Sequence, residues 1–149
     1  MNDIFDNSIV YYINLDERTD RNEHITTELK KIFPTELINR VSAVKHTNGA
    51  IGCSQSHINT LNQFINSGKE KCFIFEDDFQ FLFPVNETKM MLFNTLKQYF
   101  NVILMTYNNS LIDINFGNIQ FNRSFIFNGL TLAGYIVHCK FAQLLLYNF

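Results

Sequence analysis

The chain has 149 residues, enough for one domain with a real core, and at 46% hydrophobic it is neither disordered nor fibrous. A formal net charge of −2 and the lack of any Lys or Arg run leave nucleic acid or an anionic membrane unsupported as the main partner. No apolar stretch approaches the roughly 18 residues of a membrane span, Met1 to Asp6 is acidic without a signal core, and Cys53, Cys72 and Cys139 are odd in number and far apart, so a reducing, cytoplasmic location is expected.

Ser8 to Leu15 is a β-branched and aromatic run that predicts a first strand. Asp16 or Thr19 can cap a helix running to about Phe33, just before Pro34, and Ile25, Leu29, Ile32 and Phe33 fit a 3.6-residue period. Leu37 to Val44 predicts a second strand and Lys45 to Gly49 a loop. Gly52 is expected to open the next helix, with Ile58, Leu61, Phe64 and Ile65 on its apolar face and Gly68 at its end. Lys71 to Phe75 has no polar alternation after Lys71, which predicts a strand buried on both faces. A helix follows from about Asn86 to Tyr99, then a strand over Asn101 to Thr106. Asn108 to Asn128 reads as loop plus short strands, Thr131 to Val137 as a strand and Lys140 to Tyr147 as a helix. This order predicts an α/β fold with a mostly parallel central sheet, in one domain over residues 1–149. The apolar last residues, Leu144 to Phe149, suggest a domain cut short at its C-terminus.

Four segments carry candidate chemistry. The buried strand ends in Glu76-Asp77-Asp78, and a buried parallel strand delivers its last residues to the sheet edge where open α/β folds bind ligands. Two carboxylates about 5 Å apart repel by roughly 3 kcal/mol at an effective dielectric near 20. Three together call for full solvation or a cation, and Mg2+ or Mn2+ suits hard oxygen ligands. Ahead of them, the strand carrying Ile13-Asn14-Leu15 runs into a turn and helix start bearing Arg18 and Arg21, a setting that favours phosphate. The plain alternative is that both arginines pair with Asp16, Glu17 and Asp20. In Gly49-Ala50-Ile51-Gly52-Cys53-Ser54-Gln55-Ser56-His57 the glycines permit close backbone approach. Cys53 and His57, four apart, share a helix face, but no second pair completes a four-ligand metal site. A strand-like run around Gly134-Tyr135 is the fourth segment.

Together these segments resemble glycosyltransferase family 25, which includes bacterial lipooligosaccharide galactosyltransferases and the collagen galactosyltransferase type. The resemblance rests on Ile13-Asn14-Leu15 with Arg18, Asp20 and Arg21, on Gly49-x-x-Gly52-Cys53-x-x-Ser56-His57, on Glu76-Asp77-Asp78, and on Gly134-Tyr135 with Ala142 and Leu145. Gly134 stands where the family pattern has Ala, and His138-Cys139-Lys140 replaces a Ser-containing step.

The resemblance implies a GT-A type nucleotide-diphospho-sugar transferase fold. It implies an inverting hexosyltransferase that moves a sugar, galactose foremost, from a UDP-sugar to a hydroxyl of a glycan, lipooligosaccharide or hydroxylysine-type acceptor. Manganese or magnesium would bridge the diphosphate and the metal-side pair Glu76 and Asp78, which alternate along the strand, while Asp77 faces sugar or ribose hydroxyls. Asp77 and Asp78 are then the catalytic pair, and Asn14, Arg18, Arg21, Ser56 and His57 line the donor pocket. Asp113 is a candidate general base. Two rival readings are a sugar-nucleotide-binding or interaction domain of the same fold without turnover, and a metal-dependent phosphohydrolase.

Overall fold

The computed structural model describes residues 4–105 and 133–147. Its sheet is built from β1 (Ser8–Asn14), β2 (Ile38–Ser42), β3 (Lys71–Glu76), β4 (Val102–Leu104) and β5 (Gly134–His138), in the order β2-β1-β3-β5-β4. The helices are α1 (Thr19–Lys30), α2 (Gly49–Asn66), α3 (Val85–Leu96) and α4 (Cys139–Tyr147), with a 3-10 turn at Thr35–Leu37. The fold is α/β, as the element order predicts. The mostly parallel sheet is corrected: β1 pairs in parallel with β2 and β3, but β5 is antiparallel to both β3 and β4. A hydrophobicity pattern cannot report this reversal, because a strand buried on both faces reads the same in either direction.

Alternation along the strands divides the core into two layers. Val10, Tyr12, Phe73, Phe75 and Ile136 pack on one face with Ile25 and Leu29 of α1 and Leu92 of α3. Tyr11, Ile13, Cys72, Ile74, Tyr135 and Val137 pack on the other with Leu61 and Phe64 of α2 and Ala142 of α4. Cys72 to Phe75 are fully buried, the two-sided burial expected of this strand. Phenylalanines fill the first layer: Phe33 lies 4.9 Å from both Phe5 and Phe73, and Phe79 lies 4.6 Å from Phe75, within the range of favourable ring pairs. Each such burial contributes on the order of 2 kcal/mol.

Several boundaries differ from the sequence reading. Arg18, not Asp16 or Thr19, occupies the N-cap of α1, and no side chain caps it. The next helix begins three residues before Gly52, because the Asn48 side chain accepts from the Ala50 N–H at 3.0 Å and caps it there. Gly68, with φ +70°, follows the end of α2 in the left-handed conformation that glycine favours. The segment 108–128, and Asp113 within it, lies outside the described residues. Among the described residues no helix is long and apolar enough to cross a membrane.

From β1 the chain crosses to β2 on one side, then returns through α2 to β3 on the other side of β1. Strand order therefore reverses at β1, with α1 and α2 on opposite faces of the sheet. A reversal of this kind leaves a crevice at the carboxyl ends of the strands.

Candidate functional site

The carboxyl ends of β1 and β3 lie side by side, with Ile13 opposite Glu76 in the parallel register. Asn14 follows Ile13 and is 2% exposed. Its Nδ2 donates to Asp77 Oδ2 at 2.8 Å and to the Arg18 carbonyl at 3.0 Å, while its Oδ1 accepts from Arg40 Nε at 3.1 Å. A guanidinium only donates, so this contact fixes which end of the amide is the oxygen. Arg40 also donates to the Asn14 carbonyl at 3.1 Å and pairs with Asp16 at 2.6 Å, and Asp16 also accepts from Ser42. Arg40 is a site residue that the sequence did not reveal. Only the register of β2 on β1, which sets Arg40 beside Tyr12, brings it there.

The two arginines of α1 separate. Arg18 makes a two-point pair with Asp20, Nε to Oδ1 at 2.9 Å and Nη2 to Oδ2 at 2.7 Å. That is the local pairing weighed as the plain alternative. Arg21 instead reaches across to β3, 3.0 Å from Asp77 Oδ1 and 3.7 Å from Asp78 Oδ2. Asp77 thus has one oxygen on Asn14 and the other on Arg21.

The alternation that would put Glu76 and Asp78 on one side does not extend that far. β3 ends at Glu76, and Phe79 N–H bonds back to the Glu76 carbonyl at 3.2 Å, making Asp77-Asp78 a turn. The carboxylates accordingly meet different neighbours. The Asp78 side chain is half exposed beside Arg21. Glu76 faces α2, where its Oε1 lies 3.3 Å from His57 Nε2 and 3.6 Å from Cys53 Sγ. His57 Nδ1 lies 3.0 Å from the Tyr135 hydroxyl.

The hydrogen bond with His57 holds the Glu76 carboxyl below the usual range, against the opposing effect of burial. Burial drives the Tyr135 phenol well above its ordinary value, so it keeps its proton. Burial, then the Glu76 charge, pushes the Cys53 thiol up. The two ring nitrogens of His57 thus face Glu76 and Tyr135, and a neutral ring that donates to Glu76 from Nε2 accepts from Tyr135 at Nδ1, whereas one bound to a cation at Nε2 donates to Tyr135 instead.

Gly52 makes the approach of α2 possible: a Cβ there would lie 2.6 Å from the Val44 carbonyl oxygen. Ser56, 1% exposed, holds the same junction by accepting from Val44 N–H at 2.8 Å and donating to the Gly52 carbonyl at 2.6 Å.

Between these elements lies a cavity of ≈ 400 Å³. Arg18, Arg21, Ser56, His57, Glu76 and Asp77 line it, so six of the sequence-predicted residues share one space, and Lys45, His46 and Cys53 join them. Asn14 sits behind Asp77 and positions it. Tyr135, named in the sequence with Gly134 only as a strand motif of the resemblance, lies behind His57 rather than in the cavity lining, placed there by the antiparallel pairing that sets it opposite Ile74.

The cavity thus sets the Glu76 and Asp77 carboxylates at a strand end beside the basic side chains of Arg18, Arg21 and Lys45. The model of glycosyltransferase family 25, described as LPS biosynthesis protein, matches residues 33–149. The chain belongs to this family, and its membership makes it a glycosyltransferase. The match includes the Gly52 helix, the acidic strand end and Tyr135, while Asn14, Arg18 and Arg21 precede it. No curated protein matches the chain.

Proposed function

We propose that this glycosyltransferase has a GT-A type fold and moves galactose from UDP-galactose to a hydroxyl of a glycan acceptor, with inversion and with help from Mg2+ or Mn2+. The observation that carries the reading is the junction of Asn14, Arg21 and Asp77, which joins β1, α1 and β3 at the cavity wall. The reversal of strand order at β1 supports the fold assignment. Arg18, Arg21 and Lys45 border the cavity, each paired with a carboxylate (Asp20, Asp77 and Glu17), and a diphosphate would take over those cations from their present partners.

Asp77 and the half-exposed Asp78, which lies outside the cavity lining, both meet Arg21 and offer carboxylate oxygens, the donor type that Mg2+ or Mn2+ takes. When bound, such an ion stabilises the negative charge on departing UDP. Asn14 and Arg21 orient Asp77, and Arg21 keeps the two aspartates together before any cation arrives. In this reading Glu76 belongs to the α2 side of the cavity with His57, rather than forming a metal pair with Asp78.

The experiment is calorimetry of UDP binding with and without Mn2+, together with UDP release from UDP-galactose and UDP-glucose in the presence of glycan acceptors. Metal-strengthened UDP binding and galactose transfer are expected, with both sharply reduced in Asp78→Asn. Equal UDP affinity with and without metal would overturn the metal role, and preference for UDP-glucose would overturn the donor.

A further inference from the structure

We infer that Cys53, His57 and Glu76 form a second cation site, distinct in chemistry from the aspartate pair and selective for a borderline transition cation, zinc foremost. One ligand atom from each residue lies within 4.8 Å of the other two. Ligand distances of about 2.3 Å for sulfur, 2.05 Å for nitrogen and 2.1 Å for oxygen around tetrahedral zinc set the spacing between ligands. They require nitrogen-to-oxygen and sulfur-to-oxygen edges of about 3.4 and about 3.6 Å. Two observed edges match, 3.3 Å from His57 Nε2 to Glu76 Oε1 and 3.6 Å from Cys53 Sγ to the same oxygen; the third, from Cys53 to His57, lies within 4.8 Å, and a bound ion would set it at about 3.5 Å.

The surroundings fit as well. Coordination through Nε2 takes the His57 tautomer protonated at Nδ1, and the Tyr135 oxygen, 3.0 Å away, accepts that proton as an outer ligand partner. Cys53 and His57 lie one turn apart on α2, and Glu76 ends the neighbouring strand, so rigid elements hold all three. All three line the cavity, leaving the fourth position to water or to an atom of a bound molecule. The sulfur and imidazole select zinc over magnesium or manganese, whereas the all-oxygen Asp77-Asp78 pair selects the reverse.

The test is titration of the chelator-stripped full chain with Zn2+ against a chromophoric competitor, and with Co2+ followed by absorbance. One equivalent of zinc and a thiolate-to-cobalt charge-transfer band are expected. Cys53→Ser should abolish the band, Cys53→Ser and His57→Asn should each weaken zinc by tenfold or more, and Tyr135→Phe should weaken it by roughly tenfold. Asp78→Asn should leave zinc affinity within about twofold, and circular dichroism of each variant controls for folding. No stoichiometric zinc binding would overturn the site, leaving only a hydrogen-bonded triad. So would binding that survives both Cys53→Ser and His57→Asn, or that is lost in Asp78→Asn alone.

Discussion

Asn14 and Asp77, 63 residues apart in the chain, are joined by a 2.8 Å hydrogen bond between the carboxyl ends of neighbouring parallel strands. The amide leaves none of its contacts to chance: one donor orients the carboxylate, the other holds the Arg18 carbonyl at the start of α1, and its oxygen takes Arg40 from β2. One buried side chain therefore fixes the relative positions of three elements at the cavity wall.

Asn14→Ala leaves the Asp77 oxygen, the Arg18 carbonyl and the Arg40 Nε each without this partner. Stability should fall by about 1–3 kcal/mol, since a buried polar group left unpaired costs that much. The midpoint of urea unfolding measures the loss. UDP affinity should fall with it, because Asp77 loses its orientation. An unchanged midpoint would show that water replaces the amide without cost.

Gly134 lies beneath two phenylalanine rings. A Cβ at 134 would lie 2.7 Å from the Phe79 ring and 3.0 Å from Phe75. The small residue makes room for the ring that follows the acidic turn. Gly134→Ala should destabilise by about 1–3 kcal/mol through overpacking. Phe79→Leu in the same chain should recover part of that loss, and a double-mutant cycle of thermal melts measures the coupling. Purely additive losses would place the strain elsewhere.

Much of the layout was legible in the sequence because burial leaves a periodic record. The apolar run 72–75 announced a central strand, and the four-residue spacing of Cys53 and His57 announced a shared face. What stayed hidden depends on register and direction. Glu76 meets Cys53 and His57 rather than Asp78, because the strand ends at Glu76 and the next two residues form a turn to which strand alternation does not apply. Arg40 and Tyr135 reach the site through strand pairing, which no local pattern encodes. Among the arginines, helix position could not tell Arg18, which pairs within its own turn, from Arg21, which crosses to β3.

Arg21→Ala separates binding from stability. The Arg21 side chain is 41% exposed, so its ion pairs contribute no more than about 1 kcal/mol to the fold. The melting temperature should change little. UDP affinity should fall several-fold, because the variant removes a positive charge at the cavity and releases the Asp77 and Asp78 carboxylates. Wild-type UDP affinity in a normally folded variant would remove Arg21 from the donor site.

The last prediction concerns acid. The His57 hydrogen bond lowers the Glu76 carboxyl relative to its unfolded value. A group with a depressed folded pKa binds fewer protons in the native state than in the unfolded state. Its stabilisation is therefore complete above the unfolded value of about 4.3 and is lost as pH falls through the folded one. Glu76→Gln removes this titration while keeping the shape. In the presence of a chelator, wild type should lose stability more steeply than Glu76→Gln as pH drops below about 4.3, with the two curves running parallel between about pH 5 and 6. Denaturant midpoints across this range measure the difference. Parallel curves throughout would mean that Glu76 titrates alike in the folded and unfolded chains, and that its contact with His57 contributes nothing to the charged form.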